Sequence, residues 1–259
     1  MQELIVTTVQ TQLYWEDPDK NLAHLSEKLR TVGITDMIVL PEMFTTGFTM
    51  KPELLAEEHG GKGLQWMQKN AAEKKCVIVG SISVKEHGNY YNRLYWVKPD
   101  GHFLCYDKRH LFSMGKEDEH YKKGNQKIVV EYKGWKICPL VCYDLRFPVW
   151  SRNTKQDPYD VLIYVANWPE VRSYPWKQLL IARAIENQCY VVGVNRIGVD
   201  GHQINHTGDS AIINPKGELL NKTKANEDMA ESISISYDAL QDFRRAFPVL
   251  NDAENFSID

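Results

Sequence analysis

At 259 residues, with a formal charge of −3 and a pI near 6.3, the chain has no basic footprint for gripping phosphates, which argues against nucleic-acid binding. Hydrophobic residues at 43% and charged residues at 25% exclude disorder, and the length fits a single domain, 1–259, at the upper end of what one core supports. No run of about 18 apolar residues or signal-peptide pattern occurs, and the 5 scattered cysteines form no CxxC pair, so a cytoplasmic protein with reduced thiols, no membrane contact and no structural metal is expected.

In chain order, Leu4 to Thr11 reads as a strand, and Asp17-Pro18 then offers an N-cap followed by proline at the first helical position. The stripe Leu22, Leu25, Leu29, Val32 has helical spacing and Gly33 stands where a C-terminal glycine is expected. Met37 to Leu40 is a short apolar run stopped by Pro41, the pattern of a buried strand. A helix through Leu64, Met67 and Ala71 leads into a strand at Cys76 to Val84, and Pro99-Asp100-Gly101 turns Tyr91–Val97 into His102–Tyr106. Lys133-Gly134 does the same for Ile128–Tyr132 and Trp135–Val141, and a helix is expected near Pro148 to Arg152. Val161 to Val165, a helix from about Trp176 to Asn187, and Tyr190 to Val194 resume strand-helix alternation, and Pro215-Lys216-Gly217 makes a late hairpin turn. Residues after Phe247 read as an acidic tail, loosely held or contacting a partner. The pattern is a layered α/β domain, in which function gathers at the C-terminal ends of strands.

Reactive side chains sit at such strand ends in Pro41-Glu42-Met43-Phe44, Tyr106-Asp107-Lys108-Arg109-His110 and Val141-Cys142-Tyr143-Asp144. Cys142 follows an apolar run, so its sulfur should project from the top of a sheet as in a nucleophile elbow, an exposed thiolate that alkylating reagents reach before Cys76, Cys138 and Cys189. Read alone, a cysteine after an apolar run is more often a small core residue. Glu42 is either a solvated loop carboxylate or, if buried beside a thiol, a general base. Lys108 lies in a charge cluster that is either a solvated face or a fixed ammonium for an oxyanion. No glycine pattern marks a nucleotide site.

Together these segments resemble, in order and surroundings, the nitrilase superfamily of carbon–nitrogen hydrolases, and the likeness extends to Ala166-Asn167-Trp168-Pro169, Ala182 to Asn187, Val194-Asn195-Arg196 and Gly208-Asp209-Ser210. The resemblance covers nearly the whole chain. It implies a four-layer α-β-β-α sandwich that forms a homodimer through its helix layer. It also implies a Glu-Lys-Cys triad of Glu42 as base, Lys108 as oxyanion holder and Cys142 as nucleophile, with the Tyr143 N–H completing the oxyanion hole. The family's second glutamate falls on Glu117 rather than Glu119, because Gly124 then stands 7 positions after it. The stretches His110-Leu111-Phe112 and Cys142 to Pro148 resemble the omega-amidase branch. That likeness implies hydrolysis of short 2-oxo dicarboxylic acid monoamides, such as 2-oxoglutaramate or 2-oxosuccinamate, through a cysteine thioester with no metal or organic cofactor. Another amidase of the superfamily, for carbamoylated or aliphatic amides, and a non-hydrolytic scaffold relative are the alternatives. Arg146 is placed either to grip the substrate carboxylate or to pair with Asp144 or Asp160, and Phe44 and Trp168 are expected to wall the methylene chain.

Overall fold

Asp17 starts the first helix as its sequence pattern requires. Its carboxylate accepts a hydrogen bond from the Lys20 N–H at 3.1 Å, and Pro18 stands in the first turn, where a missing N–H removes no bond. The structure is a computed structural model that describes residues 3–254. In chain order its elements are β1 (Glu3–Gln10), α1 (Pro18–Arg30), β2 (Met37–Val39), α2 (Pro52–Leu55), β3 (Glu57–Glu58), α3 (Lys62–Lys74), β4 (Val77–Glu86), β5 (Asn89–Val97), β6 (Phe103–Asp107) and α4 (Glu117–His120). The second half adds β7 (Val130–Tyr132), β8 (Trp135–Val141), β9 (Val161–Ala166), α5 (Ser173–Asn187), β10 (Tyr190–Asn195), β11 (Ile197–Val199), β12 (Asn205–Thr207), β13 (Ala211–Ile213), β14 (Met229–Ser236) and α6 (Tyr237–Ala246).

The strands make two main sheets of similar plan. One runs β14-β1-β2-β4-β5-β6 with β3 beside β4, and the other runs β13-β10-β9-β8-β7. Each has a parallel centre, β1-β2-β4 or β8-β9-β10, flanked along the sheet by antiparallel strands, while the short β3 pairs parallel with β4. The facing sides meet in one apolar cluster: Val6, Met37, Val79 and Trp96 from the first sheet pack with Ile137, Leu140, Ile163 and Val192 from the second. On the outer side of the first sheet, Leu22, Leu25 and Leu29 of α1 and Leu64 and Met67 of α3 cover Ile38 and Ile78. Trp176, Leu180 and Ala184 of α5 belong to the core with the second sheet, where an added Cβ on Gly193 would come within 2.6 Å of Leu180. Helix, sheet, sheet and helix are therefore stacked as the four-layer sandwich.

Several local expectations change. Helix α1 ends at Arg30, capped by a right-handed Thr31, so Gly33 is not its cap, although Val32 still reaches the core from the following turn. No helix forms at 148–152. The chain instead tightens into a 3-10 turn immediately at Cys142–Arg146, because Asp144 takes the Val141 N–H at 3.1 Å and closes the turn around the cysteine. Strand β14 and helix α6 were not foreseen. The residues Met229–Ser236 alternate polar and apolar along a sheet edge that stays half exposed, which leaves a weak apolar signal. Beyond Phe247, the Phe247 carbonyl accepts from Gln188 and the Asn251 carbonyl from Lys155, tying this stretch to the body. The rest of the acidic tail, residues 255–259, lies outside the described residues.

Candidate active site

Glu42, Cys142 and Asn167 each follow a parallel strand, β2, β8 and β9, and Lys108 follows β6, so the two sheets deliver these side chains to one end of the sandwich. Cys142 adopts a left-handed φ of 44°, a costly conformation for a residue with a Cβ. It persists because the turn is fastened on both sides. Asp144 Oδ2 accepts from the Val141 N–H at 3.1 Å and the Tyr106 hydroxyl at 2.7 Å, and its Oδ1 accepts from the His110 N–H at 3.0 Å.

The thiol is only 8% exposed, contrary to the exposed thiolate expected. Burial pushes it well above the usual thiol range, the neighbouring Glu42 charge pushes it further, and Lys108 only partly opposes this. The same surroundings, with the Glu42 side chain and the Asn167 N–H against the sulfur, favour the protonated thiol over the thiolate. A thiol in such a setting attacks a carbonyl only with a neighbouring base to take its proton.

Glu42 is fully buried. Its Oε1 accepts from Lys108 Nζ at 2.9 Å and Asn92 Nδ2 at 2.8 Å, and its Oε2 from the Asn167 N–H at 2.8 Å. Lys108 Nζ also lies 2.8 Å from Glu117 Oε2 and 3.1 Å from Oε1, while the Phe112 N–H holds that same Oε2 at 2.7 Å. Burial alone would depress the Lys108 ammonium, but Glu117, Glu42 and Cys142 more than reverse this and hold it above its ordinary range. Burial raises the Glu117 carboxyl, opposed by Lys108 and reinforced by Glu42. The cation is thus fixed between two carboxylates in a water-poor site, an arrangement in which moving one proton shifts every neighbour.

The two loop glutamates occupy opposite environments. Glu117 is buried in the cluster, whereas Glu119 is exposed and sits 3.6 Å from Lys116. Gly124, which set the spacing, packs so close to β6 that an added Cβ would lie 2.1 Å from the Asp107 carbonyl oxygen. Its N–H reaches the Lys108 carbonyl at 2.9 Å, which returns the loop to the lysine it carries.

A pocket opens on Cys142, lined by Lys108, Tyr143, Asn167, Phe48, Phe112, Trp168, Arg146 and Arg172, with Asp200, His202 and His206 from the β11–β12 hairpin. Tyr143 and Trp168 both line this pocket. Arg146 rests 5.0 Å over the Trp168 ring and pairs with neither expected aspartate: Asp144 is engaged as above, and Asp160 takes Arg244 at 2.7 Å and the Lys136 N–H at 3.0 Å. Phe44 is the correction. Met43 turns the chain with a φ of 43°, sending Phe44 into the core beneath α3, 5.7 Å from the Trp66 ring and against Gly80, and Phe48 supplies the aromatic wall instead.

Asn92 and Arg196 were missed. Asn92 gives its amide N–H groups to both glutamates, and the only signal was a polar residue in a strand that mixes Asn89 and Arg93 with aromatic and aliphatic residues. Arg196, fully buried, donates to the carbonyls of Leu13, Ile197 and Val199, anchoring the hairpin that forms one pocket wall. Among the described residues no cluster of three His, Cys, Asp or Glu side chains is placed to hold a metal ion.

The family profile described as carbon-nitrogen hydrolase matches residues 5–245. The chain is 45% identical over 260 residues to omega-amidase YafV of Escherichia coli, covering 100% of both chains. It is 34% identical over 220 residues to a 2-oxoglutaramate amidase of Bacillus subtilis, covering 84% of each. Among solved structures, a CN-hydrolase superfamily protein from Xanthomonas campestris, carrying an arsenic adduct in its active site, superposes with a TM-score of 0.97 at 40% identity over 100% of both chains.

Proposed function

This chain belongs to the carbon–nitrogen hydrolase family and cleaves carbon–nitrogen bonds of amides, and on that premise we propose that it is an omega-amidase acting on short 2-oxo dicarboxylic acid monoamides. The observation that carries the chemistry is the buried contact of Lys108 Nζ with both glutamates, 2.9 Å from Glu42 and 2.8 Å from Glu117, beside the Cys142 thiol.

Glu42 accepts the Cys142 proton as sulfur attacks the amide carbonyl. The developing oxyanion is held by Lys108 and the Tyr143 N–H, both of which belong to residues lining the pocket beside Cys142. The proton on Glu42 passes to the leaving nitrogen, ammonia departs and a Cys142 thioester remains. Water then enters, gives a proton back to Glu42 and attacks the thioester, releasing the acid and restoring the thiol. Glu117, locked by Lys108, Asn92 and the Phe112 N–H, keeps the ammonium aimed at the reacting oxygen. At the far end of the pocket the Arg146 fork grips the substrate carboxylate, and Trp168 and Phe48 enclose the methylene chain.

The same reading places the enzyme in the cytoplasm; among the described residues no helix is long and apolar enough to cross a membrane. It also makes the enzyme a homodimer through the face of α5, where Tyr174 and Ile185 are exposed.

The test is ammonia release from 2-oxosuccinamate and 2-oxoglutaramate against butanamide and short nitriles, with intact mass of acid-quenched enzyme. An acyl adduct on Cys142 and preference for the 2-oxo acids are expected. Equal or faster turnover of the uncharged compounds would overturn the carboxylate-anchored reading.

A further inference from the structure

The pocket holds a second guanidinium that the mechanism above does not use. Arg172 lines it together with Arg146, and each lies over an aromatic ring, Arg172 at 5.3 Å from Phe112 and Arg146 at 5.0 Å from Trp168. Neither has a carboxylate partner among the described residues. Asp200, the carboxylate in the same lining, turns its Oδ1 to the N–H groups of His202 at 2.8 Å and Ile204 at 3.0 Å. The two arginines are linked through the wall itself, because the Trp168 indole that supports Arg146 donates to the Arg172 carbonyl at 2.7 Å.

A guanidinium is a planar fork of donors, and one fork is satisfied by one carboxylate. Two forks without carboxylate partners, in one pocket that also presents Phe48, Phe112, Tyr143 and Trp168, suit a ligand end that carries more acceptors than a single carboxylate. A 2-oxo acid meets this need, since its ketone oxygen lies beside the carboxylate and supplies a third acceptor. We propose that Arg172 is a specificity-determining residue that donates to the 2-oxo oxygen and the adjacent carboxylate oxygen, while Arg146 takes the carboxylate. The inference rests on the omega-amidase reading and deepens it: Arg172 separates 2-oxo acid monoamides from monoamides of equal length that lack the ketone.

The experiment uses equilibrium binding, so that it does not depend on turnover. In a Cys142→Ala enzyme, calorimetry compares 2-oxoglutarate with glutarate, which differ only in the ketone. The 2-oxo acid should bind about tenfold more tightly, the size of a hydrogen bond from a charged donor, and Arg172→Gln should erase that difference. Arg172→Lys, which keeps the charge and loses the fork, should restore only part of it, and Arg146→Gln should weaken both acids alike. Glutarate, which keeps only the carboxylate contact of Arg172, should lose less affinity than 2-oxoglutarate in Arg172→Gln, and an unchanged thermal midpoint of the variant reports an intact fold. The proposal falls if no preference exists at the outset or if the preference survives Arg172→Gln. Ammonia release from 2-oxosuccinamate and from succinamate by the enzyme with its cysteine intact judges the parent reading separately. Absence of release alongside an Arg172-dependent binding preference would sink the omega-amidase reading and leave Arg172 as a 2-oxo acid reader, whereas release with a preference indifferent to Arg172 would do the opposite.

Discussion

Asp144 Oδ1 accepts two hydrogen bonds from His110, one from the backbone N–H at 3.0 Å and one from ring Nδ1 at 2.8 Å. The same carboxylate holds the Val141 N–H, so one buried side chain fastens the residue before Cys142 to the loop just after Lys108. The His110 ring is itself clamped, stacked 3.7 Å from Phe147. Cys142 and Lys108 thus keep their separation although they arise from different sheets.

Asp144→Asn should therefore disturb geometry without removing a reacting group. An amide NH2 would face donors where a carboxylate oxygen stood, costing about 2 kcal/mol of stability and loosening the Cys142 turn. Expected in denaturant melts and steady-state rates are a lower midpoint and a kcat reduced by about tenfold, with a smaller change in KM. A kcat equal to wild type would show that Asp144 stabilises the fold and does not position the site.

Much of this site is readable in the sequence because its groups occupy abrupt junctions. Glu42 follows an apolar run ended by Pro41, and Cys142 follows the run through Val141, so strand and turn signals coincide with reactive side chains. Phe44 misled because a left-handed residue at Met43 reverses the side on which the next side chain falls, and no residue type announces that. Asn92 and Arg172 escaped for a different reason. Their importance comes from what faces them across sheets and loops, and a polar residue in a strand or an arginine on a turn looks the same with or without such a partner.

The left-handed backbone at Cys142 gives an unusual stability order. At an ordinary buried position glycine is less stable than alanine by about 0.5–1 kcal/mol, but relief of the left-handed strain should offset this here. Cys142→Gly is expected to unfold no earlier than Cys142→Ala in thermal melts, while both lose at least about a thousandfold in turnover. A clearly less stable glycine variant would mean that the turn is not strained in solution.

Because the thiol is pushed up, chiefly by burial, its alkylation should depend on its base. Iodoacetamide should modify Cys142 in the wild-type enzyme ahead of Cys138 and Cys189, which are buried in the core. Glu42→Gln should slow that modification by about tenfold or more, since proton removal then lacks an acceptor. Equal labelling rates in the two proteins, followed by peptide mass spectrometry, would point to a thiolate already formed.

Glu117 and Glu119 stand two residues apart in opposite environments, which makes them an internal control. Glu117→Gln replaces a charge that touches Lys108 at 2.8 Å, and its kcat should fall about a hundredfold. Glu119→Gln removes a loose exposed contact with Lys116 and should be nearly silent in kcat, KM and melting temperature. The reverse ranking would require the loop to sit in another register.

Removing the cation should reveal what it compensates. Lys108→Met would leave Glu42 and Glu117 buried together without an ammonium, and breaking such a pair costs about 3–5 kcal/mol near neutral pH. Burial already raises the Glu117 carboxyl in the intact site, and loss of the cation raises it further. A carboxyl raised above its unfolded value of about 4.3 contributes stability below that pH and loses it as pH rises through the folded value. The variant should therefore gain unfolding free energy relative to wild type as pH falls from 8 towards 5, because a proton then replaces the missing charge. Lys108 itself titrates above its ordinary range, so the wild-type stabilisation from this cluster should hold through neutral pH and fade only in strong alkali. Urea melts of both proteins across this range measure the difference. A Lys108→Met deficit that stays constant with pH would show that the two carboxylates do not depend on the ammonium for their charge.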